Sequence, residues 1–186
     1  YHDTGDDSLA LHYHNLGLEI RRKLPDRLEE AQSINNLANV VKTILGADSA
    51  LQLYREALNI TEGLEGRRLR SALLNNIGEI YLDQGQIDKS EALFNQSKVV
   101  KEKLNDQLGI LYTNYNLAKV NVRNGNIENG RILLETGIDH LKKLKANSLL
   151  LKYYSYYALL LSEHGSYKEA IIYYQLYNNL KDSLLN

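Results

Sequence analysis

The amino-acid sequence repeats itself with a period of about 40 residues from one end to the other, and this period restricts the fold more than any other feature. One column of the repeat contains only leucine, at Leu24, Leu64, Leu104, Leu144 and Leu184. A second column contains only small residues, at Ala10, Ala50, Ser90, Gly130 and Ala170. A fixed period of this length is typical of proteins that stack one structural unit on the next, because each unit buries its apolar face only against its neighbours.

Each repeat unit is predicted to be a pair of helices joined by a tight turn. The chain has one proline in 186 residues, and scarcity of proline favours helix because proline removes an amide donor and clashes within a helix. Apolar residues such as Leu73, Ile77 and Ile80 recur at helical spacing. Gly85 follows this run, and glycine readily adopts the left-handed conformation that ends a helix. Every unit is therefore expected to contain a first helix, a turn and a second helix.

The repeat register describes the chain as a single array. Residues 1–24 are predicted to be the second helix of a truncated repeat, and complete units follow at 25–64, 65–104, 105–144 and 145–186. This division predicts about nine helices. Stacked repeats need polar terminal surfaces, and neither end of the array has an obvious one, so we expect the native protein to continue in both directions.

The spacing of small, glycine and aromatic residues within a unit resembles that of the tetratricopeptide repeat (TPR). The clearest unit contains Leu74, Ile77, Gly78, Tyr81, Gly85, Ser90, Phe94 and Ser97. The period is longer than the usual TPR length of about 34 residues and is similar to that of the extended repeats of kinesin light chain, spindle-orientation adaptors and bacterial peptide-sensing regulators. The resemblance implies an all-α, right-handed TPR superhelix (α-solenoid) of about nine antiparallel helices, which binds a protein or peptide on its concave face.

Some positions depart from the TPR pattern. Asn121 replaces the aromatic or apolar residue expected there, and the small column that Ala57 fills well contains Gly17, Gly137 and Tyr177. These departures weaken the pattern of single units more than that of the array.

The last unit carries a finer resemblance. The run from Ala170 to Tyr177, followed by Leu180 to Asn186, looks like the final TPR of bacterial signalling proteins. In those proteins the array precedes a coiled coil or a membrane segment, and then a histidine kinase or a DNA-binding output domain. The resemblance implies a sensory or protein-interaction region in the cytoplasm or the periplasm, the periplasm if the parent protein is membrane-anchored. The rival interpretation is a passive scaffold for complex assembly.

The predicted binding residues lie on the first helix of each unit, at positions that point into the groove of the stack. They are Asn35, Asn36, Asn39, Asn75, Asn76, Glu79, Asp83, Tyr112, Tyr115, Asn116, Lys119, Arg123, Lys152 and Tyr156. Their acidic members precede their basic members along the chain, which favours a ligand whose acidic part lies toward the C-terminal units. Scattered surface charge is the alternative.

One column of this surface contains Asn36, Asn76 and Asn116. Asparagine is about 0.6 kcal/mol less favourable than alanine inside a helix, so three copies need a reason. In TPRs with matching asparagines, the side-chain amide holds an extended peptide by pairing its donor and its acceptor with one peptide unit. The alternative is that these side chains are solvated on an unused face.

Tyrosines are concentrated near the C-terminus. Eight of the 14 are Tyr153, Tyr154, Tyr156, Tyr157, Tyr167, Tyr173, Tyr174 and Tyr177. A tyrosine ring suits interfaces because it joins an apolar body to a polar hydroxyl. The favoured interpretation is an apolar face that receives the next helix or a second copy of the chain, which makes Tyr173 and Tyr177 candidates for homodimer formation. A ligand site is the alternative.

Composition and motifs exclude several classes of function. The formal net charge of -1 argues against direct binding to nucleic acid or to a membrane surface. The chain has no cysteine, its histidines lack metal-ligand spacing, and it contains no phosphate-binding loop or nucleophile motif. No apolar stretch is long enough to span a membrane. We therefore predict a protein-binding module with no enzyme activity, no metal and no cofactor.

Overall fold

The computed structural model describes residues 4–62 and 66–185, and these residues form helices joined by short turns. The nine helices of this described part are α1 (Thr4–Arg21), α2 (Arg27–Ile44), α3 (Ala47–Ile60), α4 (Arg67–Asp83), α5 (Ile87–Lys103), α6 (Gln107–Arg123), α7 (Ile127–Leu144), α8 (Asn147–Glu163) and α9 (Tyr167–Leu185). The predicted all-α fold of about nine helices is confirmed. The predicted boundary between residues 64 and 65 lies outside the described residues, as do residues 1–3 and 186 at the ends of the predicted array.

Glycine ends the first helix in three of the repeats. Gly85, Gly125 and Gly165 have φ angles of 74°, 79° and 80°, a conformation that side chains disfavour. After Gly85, the amide of Gln86 donates to the carbonyl of Tyr81 at 2.8 Å. This bond closes the turn and uses one of the carbonyls that a helix end leaves unpaired. The predicted glycine turns are confirmed in these repeats.

The chain divides into two compact units that are each larger than one repeat. The first unit contains residues 1–105 and the second unit contains residues 106–186. In the first unit, α2 packs against α3 and α4 packs against α5. The small columns allow close approach of these helices: Ala38 and Ala50 are completely buried. At Gly78, an added Cβ atom would lie 2.7 Å from the ring of Phe94. Glycine is therefore required there, because the ring occupies the space that a methyl group would fill.

In the second unit, α6 packs against α7 and α8 packs against α9. Tyr153 of α8 is completely buried, and its hydroxyl donates to the carbonyl of Leu111 at 2.6 Å. Its ring lies over Gly137 of α7, where an added Cβ atom would come within 2.2 Å of Cε1 of Tyr153. The departure from the TPR pattern at Gly137 thus has a structural reason, since this glycine makes room for a large buried ring.

Candidate functional site

The asparagines of the first unit lie in different environments. Asn36 and Asn39 are exposed on α2, whereas Asn35 of α2 and Asn75 of α4 are buried. The amide nitrogen of Asn76 donates to Oδ1 of Asn35 at 3.1 Å. This bond joins neighbouring first helices and occupies one donor of the amide that the sequence assigns to a peptide. The second hydrogen and Oδ1 of a side-chain amide can still make further bonds.

The acidic part of the predicted groove contains a lysine that was not predicted as a site residue and that pairs with Glu79. Nζ of Lys42 on α2 lies 3.2 Å from Oε2 of Glu79 on α4. The corresponding positions in the other repeats are Leu82, Val122 and Ser162. A single charged residue in an otherwise uncharged column was the available sequence signal. Because the ammonium compensates one carboxylate, this surface is less acidic than the sequence suggested.

A buried tyrosine, Tyr54 of α3, lies beneath the surface that carries Asn39 and Glu79. The hydroxyl of Tyr54 on α3 donates to Oδ1 of Asn39 at 2.6 Å, and the side chain is 1% exposed. Burial, together with the negative charge of Glu79, raises the pKa of Tyr54 to about 12. Both effects disfavour the phenolate form.

Alkaline pH should therefore destabilise the protein through Tyr54. Unfolded tyrosine has a pKa of about 10, so the folded state binds more protons between pH 10 and the folded pKa of about 12. The free energy of unfolding consequently falls as pH rises through this range, by about 2 to 3 kcal/mol for this group. Chemical denaturation at pH 9 and pH 11.5 should show a smaller loss for Tyr54→Phe than for the parent chain. Tyr167→Phe, at a side chain 65% exposed, is the control and should behave like the parent. An equal loss of unfolding free energy in all three proteins would contradict a raised pKa for Tyr54.

In the second unit, α6, α8 and α9 together form an open groove of about 430 Å³. We call it the tyrosine groove, and its lining residues are Tyr115, Leu151, Lys152, Ser155, Tyr156, Leu159, Tyr174 and Tyr177. Three predicted binding residues, Tyr115, Lys152 and Tyr156, meet here. Tyr177, which was predicted to mediate self-association, also lines this groove. Tyr174 was not predicted as a binding residue, although its column contains the aromatic residues Tyr54 and Phe94.

The floor of the tyrosine groove is a set of packed rings. The Tyr115 ring centre lies 5.4 Å from that of Tyr153 and 5.7 Å from that of Tyr156, the second pair meeting edge to face. These separations are favourable for aromatic pairs. Burial raises the pKa of Tyr156, as does the charge of Glu163, whereas Arg123 lowers it. The floor is therefore held in place by packing within the unit, and the hydroxyl of Tyr156 stays protonated at neutral pH.

Two lysines lie beside the tyrosines of the groove and its surroundings, Lys152 in the lining and Lys119 next to Tyr115. Nζ of Lys119 lies 5.8 Å from the ring centre of Tyr115, and Nζ of Lys152 lies 5.1 Å from that of Tyr112. Both distances allow attraction between an ammonium group and an aromatic face. The lining contains no aspartate or glutamate. An aromatic floor with basic side chains beside it can bind a segment that carries both apolar and acidic side chains.

The remaining predicted residues are not all on open surface. Asn116 is 1% exposed, so the column of Asn36, Asn76 and Asn116 runs from exposed through half-buried to buried. Asp83 and Arg123 are exposed, and Tyr112 and Lys119 are half-buried. Equivalent positions of the repeat thus differ in how far they are accessible to a ligand.

Tyr173, the other residue predicted to mediate self-association, packs within its own unit. Its ring centre lies 4.7 Å from that of Tyr157 and 5.9 Å from that of Tyr154. The large apolar side chains that α9 does expose include Tyr167, Ile171 and Ile172. Homodimer formation through α9 stays a prediction, and these exposed side chains are the ones that test it directly.

Within the residues that the structure describes, no helix is both long enough and apolar enough to cross a bilayer. The same residues contain no cluster of histidine and acidic side chains with the arrangement of a metal site.

No family model and no curated protein matches the sequence. Solved structures match nearly the whole chain. A Podosopora anserina protein with nearly identical TPR-like repeats, assigned as a kinesin light chain, superposes with a TM-score of 0.70 at 17% identity, covering 97% of this chain and 89% of that one. The Rap conjugation gene regulator of plasmid pLS20, in complex with the Phr* peptide, has a TM-score of 0.79 at 14% identity, covering 97% of this chain and 50% of the regulator.

The quorum sensor NprR from B. thuringiensis has a TM-score of 0.64 at 22% identity, covering 93% of this chain and 60% of the sensor. This chain therefore spans only part of the two bacterial regulators, about half in the case of Rap. At these sequence identities the similarity establishes the fold and not the activity. The chain has the fold of the TPR-like helical repeat proteins.

Proposed function

We propose that this chain is a protein-binding module that takes an acidic, partly apolar segment of a partner into the tyrosine groove. The observation that carries the proposal is the groove itself: four tyrosines and Lys152 line one open cavity of about 430 Å³, and no carboxylate is among the lining residues. Tyrosine is enriched where proteins bind one another, because it offers a large contact area and a hydroxyl at small entropic cost.

The size of the groove limits what it can hold. A volume of about 430 Å³ lies at the lower end of the range for small-molecule sites and suits one or two side chains rather than a folded domain. An extended segment rises about 3.3 Å per residue, so neighbouring residues of the partner would lie along the exposed surface of α8. There Ser155 is exposed and offers a hydroxyl.

The structural neighbours support a peptide ligand and, further, a signalling role. Rap of pLS20 was solved with the Phr* peptide, and another Rap protein with competence and sporulation factor. We infer that this chain is the sensory or interaction region of a bacterial signal-transduction protein, in which a bound segment favours one arrangement of the helices. The rival is a passive scaffold. Saturating peptide that leaves the output of the complete signalling protein unchanged would favour the scaffold.

Charge reversal at Lys152 tests the peptide site. Dodecapeptides selected from a random display library on the 186-residue chain should be rich in acidic and aromatic or aliphatic residues. Binding of the best labelled peptide, followed by fluorescence anisotropy, should weaken at least about tenfold in Lys152→Glu, because attraction at the groove becomes repulsion. Higher salt should weaken binding to the parent chain as well.

The matched control is Lys168→Glu, which makes the same charge change at an exposed lysine of α9 outside the groove lining. Its affinity should stay within about twofold of the parent value. Equal weakening in the two variants would show that only the overall charge matters, and equal affinity in all three proteins would place the peptide elsewhere.

A further inference from the structure

The second unit contains a cavity that is separate from the tyrosine groove. It has a volume of about 470 Å³ and lies between α6 and α7. Its lining residues are Gln107, Ile110, Leu111, Asn114, His140, Lys143 and Leu144, and it shares none of them with the tyrosine groove. This volume falls within the range of sites that bind small molecules.

Two of the lining residues depart from the repeat pattern, and both belong to the repeat at residues 105–144. Asn114 occupies a column that is otherwise Ile34, Leu74 and Tyr154, all of them buried. His140 occupies a column that is otherwise Ile20, Ile60, Val100 and Leu180. The two columns belong to different helices of the unit, yet both substitutions line one cavity. His140 is exposed, whereas the Asn114 column is otherwise buried. Replacing a buried apolar residue by a polar one, as at Asn114, is unfavourable unless the polar group gains partners.

The Asn114 side chain lacks such a partner for its oxygen. Oδ1 of Asn114 is buried and accepts no hydrogen bond from the described residues. Buried oxygens of this kind nearly always accept a bond, so each exception needs a physical account. A ligand with an N–H or O–H group in the cavity would supply the missing donor.

The remaining lining residues define the rest of the ligand. Lys143 contributes a positive charge, and no aspartate or glutamate lines the cavity. Ile110, Leu111 and Leu144 form an apolar wall. Opposite charge and apolar contact together select a compact molecule with an anionic head and an aliphatic body.

We propose that this cavity binds a small amphipathic carboxylate that also carries an N–H group. Its carboxylate lies at Lys143 and His140, its N–H donates to Oδ1 of Asn114, and its aliphatic part contacts Ile110 and Leu144. The site is separate from the tyrosine groove, because the two share no lining residue.

The test uses N-acetyl-L-leucine as the probe, because it has a carboxylate, an N–H group and an aliphatic side chain. Titration of the ¹⁵N-labelled 186-residue chain, followed by NMR, should shift the side-chain amide signals of Asn114 and the backbone signals of α6 and α7. N-acetyl-leucinamide, which lacks the charge, should bind at least tenfold more weakly. Asn114→Leu should also bind the probe at least tenfold more weakly and should keep the fold, since leucine occupies this column at Leu74.

Lys143→Gln keeps the result interpretable if Asn114→Leu fails to fold, because Lys143 is exposed and its loss leaves the core intact. In this variant the preference for the carboxylate over the amide should disappear. Absence of binding to the parent chain at 20 mM probe, equal affinity in Asn114→Leu, or an unchanged preference in Lys143→Gln would each overturn the proposal. Lys152→Glu should bind the probe like the parent chain, so failure of the peptide groove and failure of this cavity are distinguishable.

Discussion

Replacing Gly137 by alanine should lower the free energy of unfolding by about 2 kcal/mol through overpacking, although alanine is the better helix former. The added methyl group would lie 2.2 Å from Cε1 and 2.7 Å from Cζ of Tyr153. That ring cannot easily move, because it is completely buried and its hydroxyl is bonded to the carbonyl of Leu111. Overpacking of this kind typically costs about 1 to 3 kcal/mol. Urea denaturation followed by circular dichroism measures the effect.

The repeat supplies a matched control for this prediction. Gly17 occupies the same column in α1, and an added Cβ atom there would meet nothing within 4 Å. Gly17→Ala should therefore raise the free energy of unfolding, by up to about 1 kcal/mol, through helix propensity alone. The two substitutions should differ by about 3 kcal/mol. Similar changes in both variants would mean that Tyr153 does not restrict the size of residue 137.

Replacing Tyr173 by alanine should destabilise the second unit by about 2 to 3 kcal/mol. Its ring packs against those of Tyr157 and Tyr154 and belongs to the apolar cluster of this unit. Truncating a fully buried aromatic residue to alanine costs about 3 to 5 kcal/mol, and the half-buried position of this ring reduces the effect. Tyr167→Ala, on the same helix at a side chain 65% exposed, should change stability by less than about 0.5 kcal/mol.

Self-association must therefore be tested with a substitution that leaves the core of the second unit intact. Loss of a dimer in Tyr173→Ala would not identify an interface, because the substitution also disturbs the core of α8 and α9. Ile171 is 56% exposed on α9, so Ile171→Glu alters the outer surface only. Sedimentation of this variant and the parent chain at high concentration separates the two effects. Unchanged stability of Tyr173→Ala together with a lost dimer would instead support Tyr173 as a residue of the dimer interface.

The repeat made the helices, the turns and the close contacts predictable. A constant period with small residues in fixed columns requires the same local structure in every unit, and glycine turns at Gly85, Gly125 and Gly165 follow from backbone conformation alone. The packing at Gly137 was not predictable in this way. It depends on which side chain from the next helix enters the space, and Tyr153 is distant in sequence.

The candidate site was predictable only in part. The repeat register identified Tyr115, Lys152 and Tyr156 as surface residues of first helices, and the structure brings them to one groove. It did not show that Tyr174 and Tyr177 complete that groove, because they belong to a second helix. Nor did it show that Asn36, Asn76 and Asn116 differ in exposure, since a column describes rotation about a helix and not the neighbours that cover it.

The sequence by itself determined the helical repeat and the glycine turns at Gly85, Gly125 and Gly165, because these depend on local backbone preference and periodic burial. Only the tertiary structure decided which side chains meet across helices: Glu79 with Lys42, Tyr153 with Gly137, and Asn114 with His140 around one cavity. Contacts of this kind join residues many positions apart, and their geometry depends on the volume and orientation of every side chain packed between them.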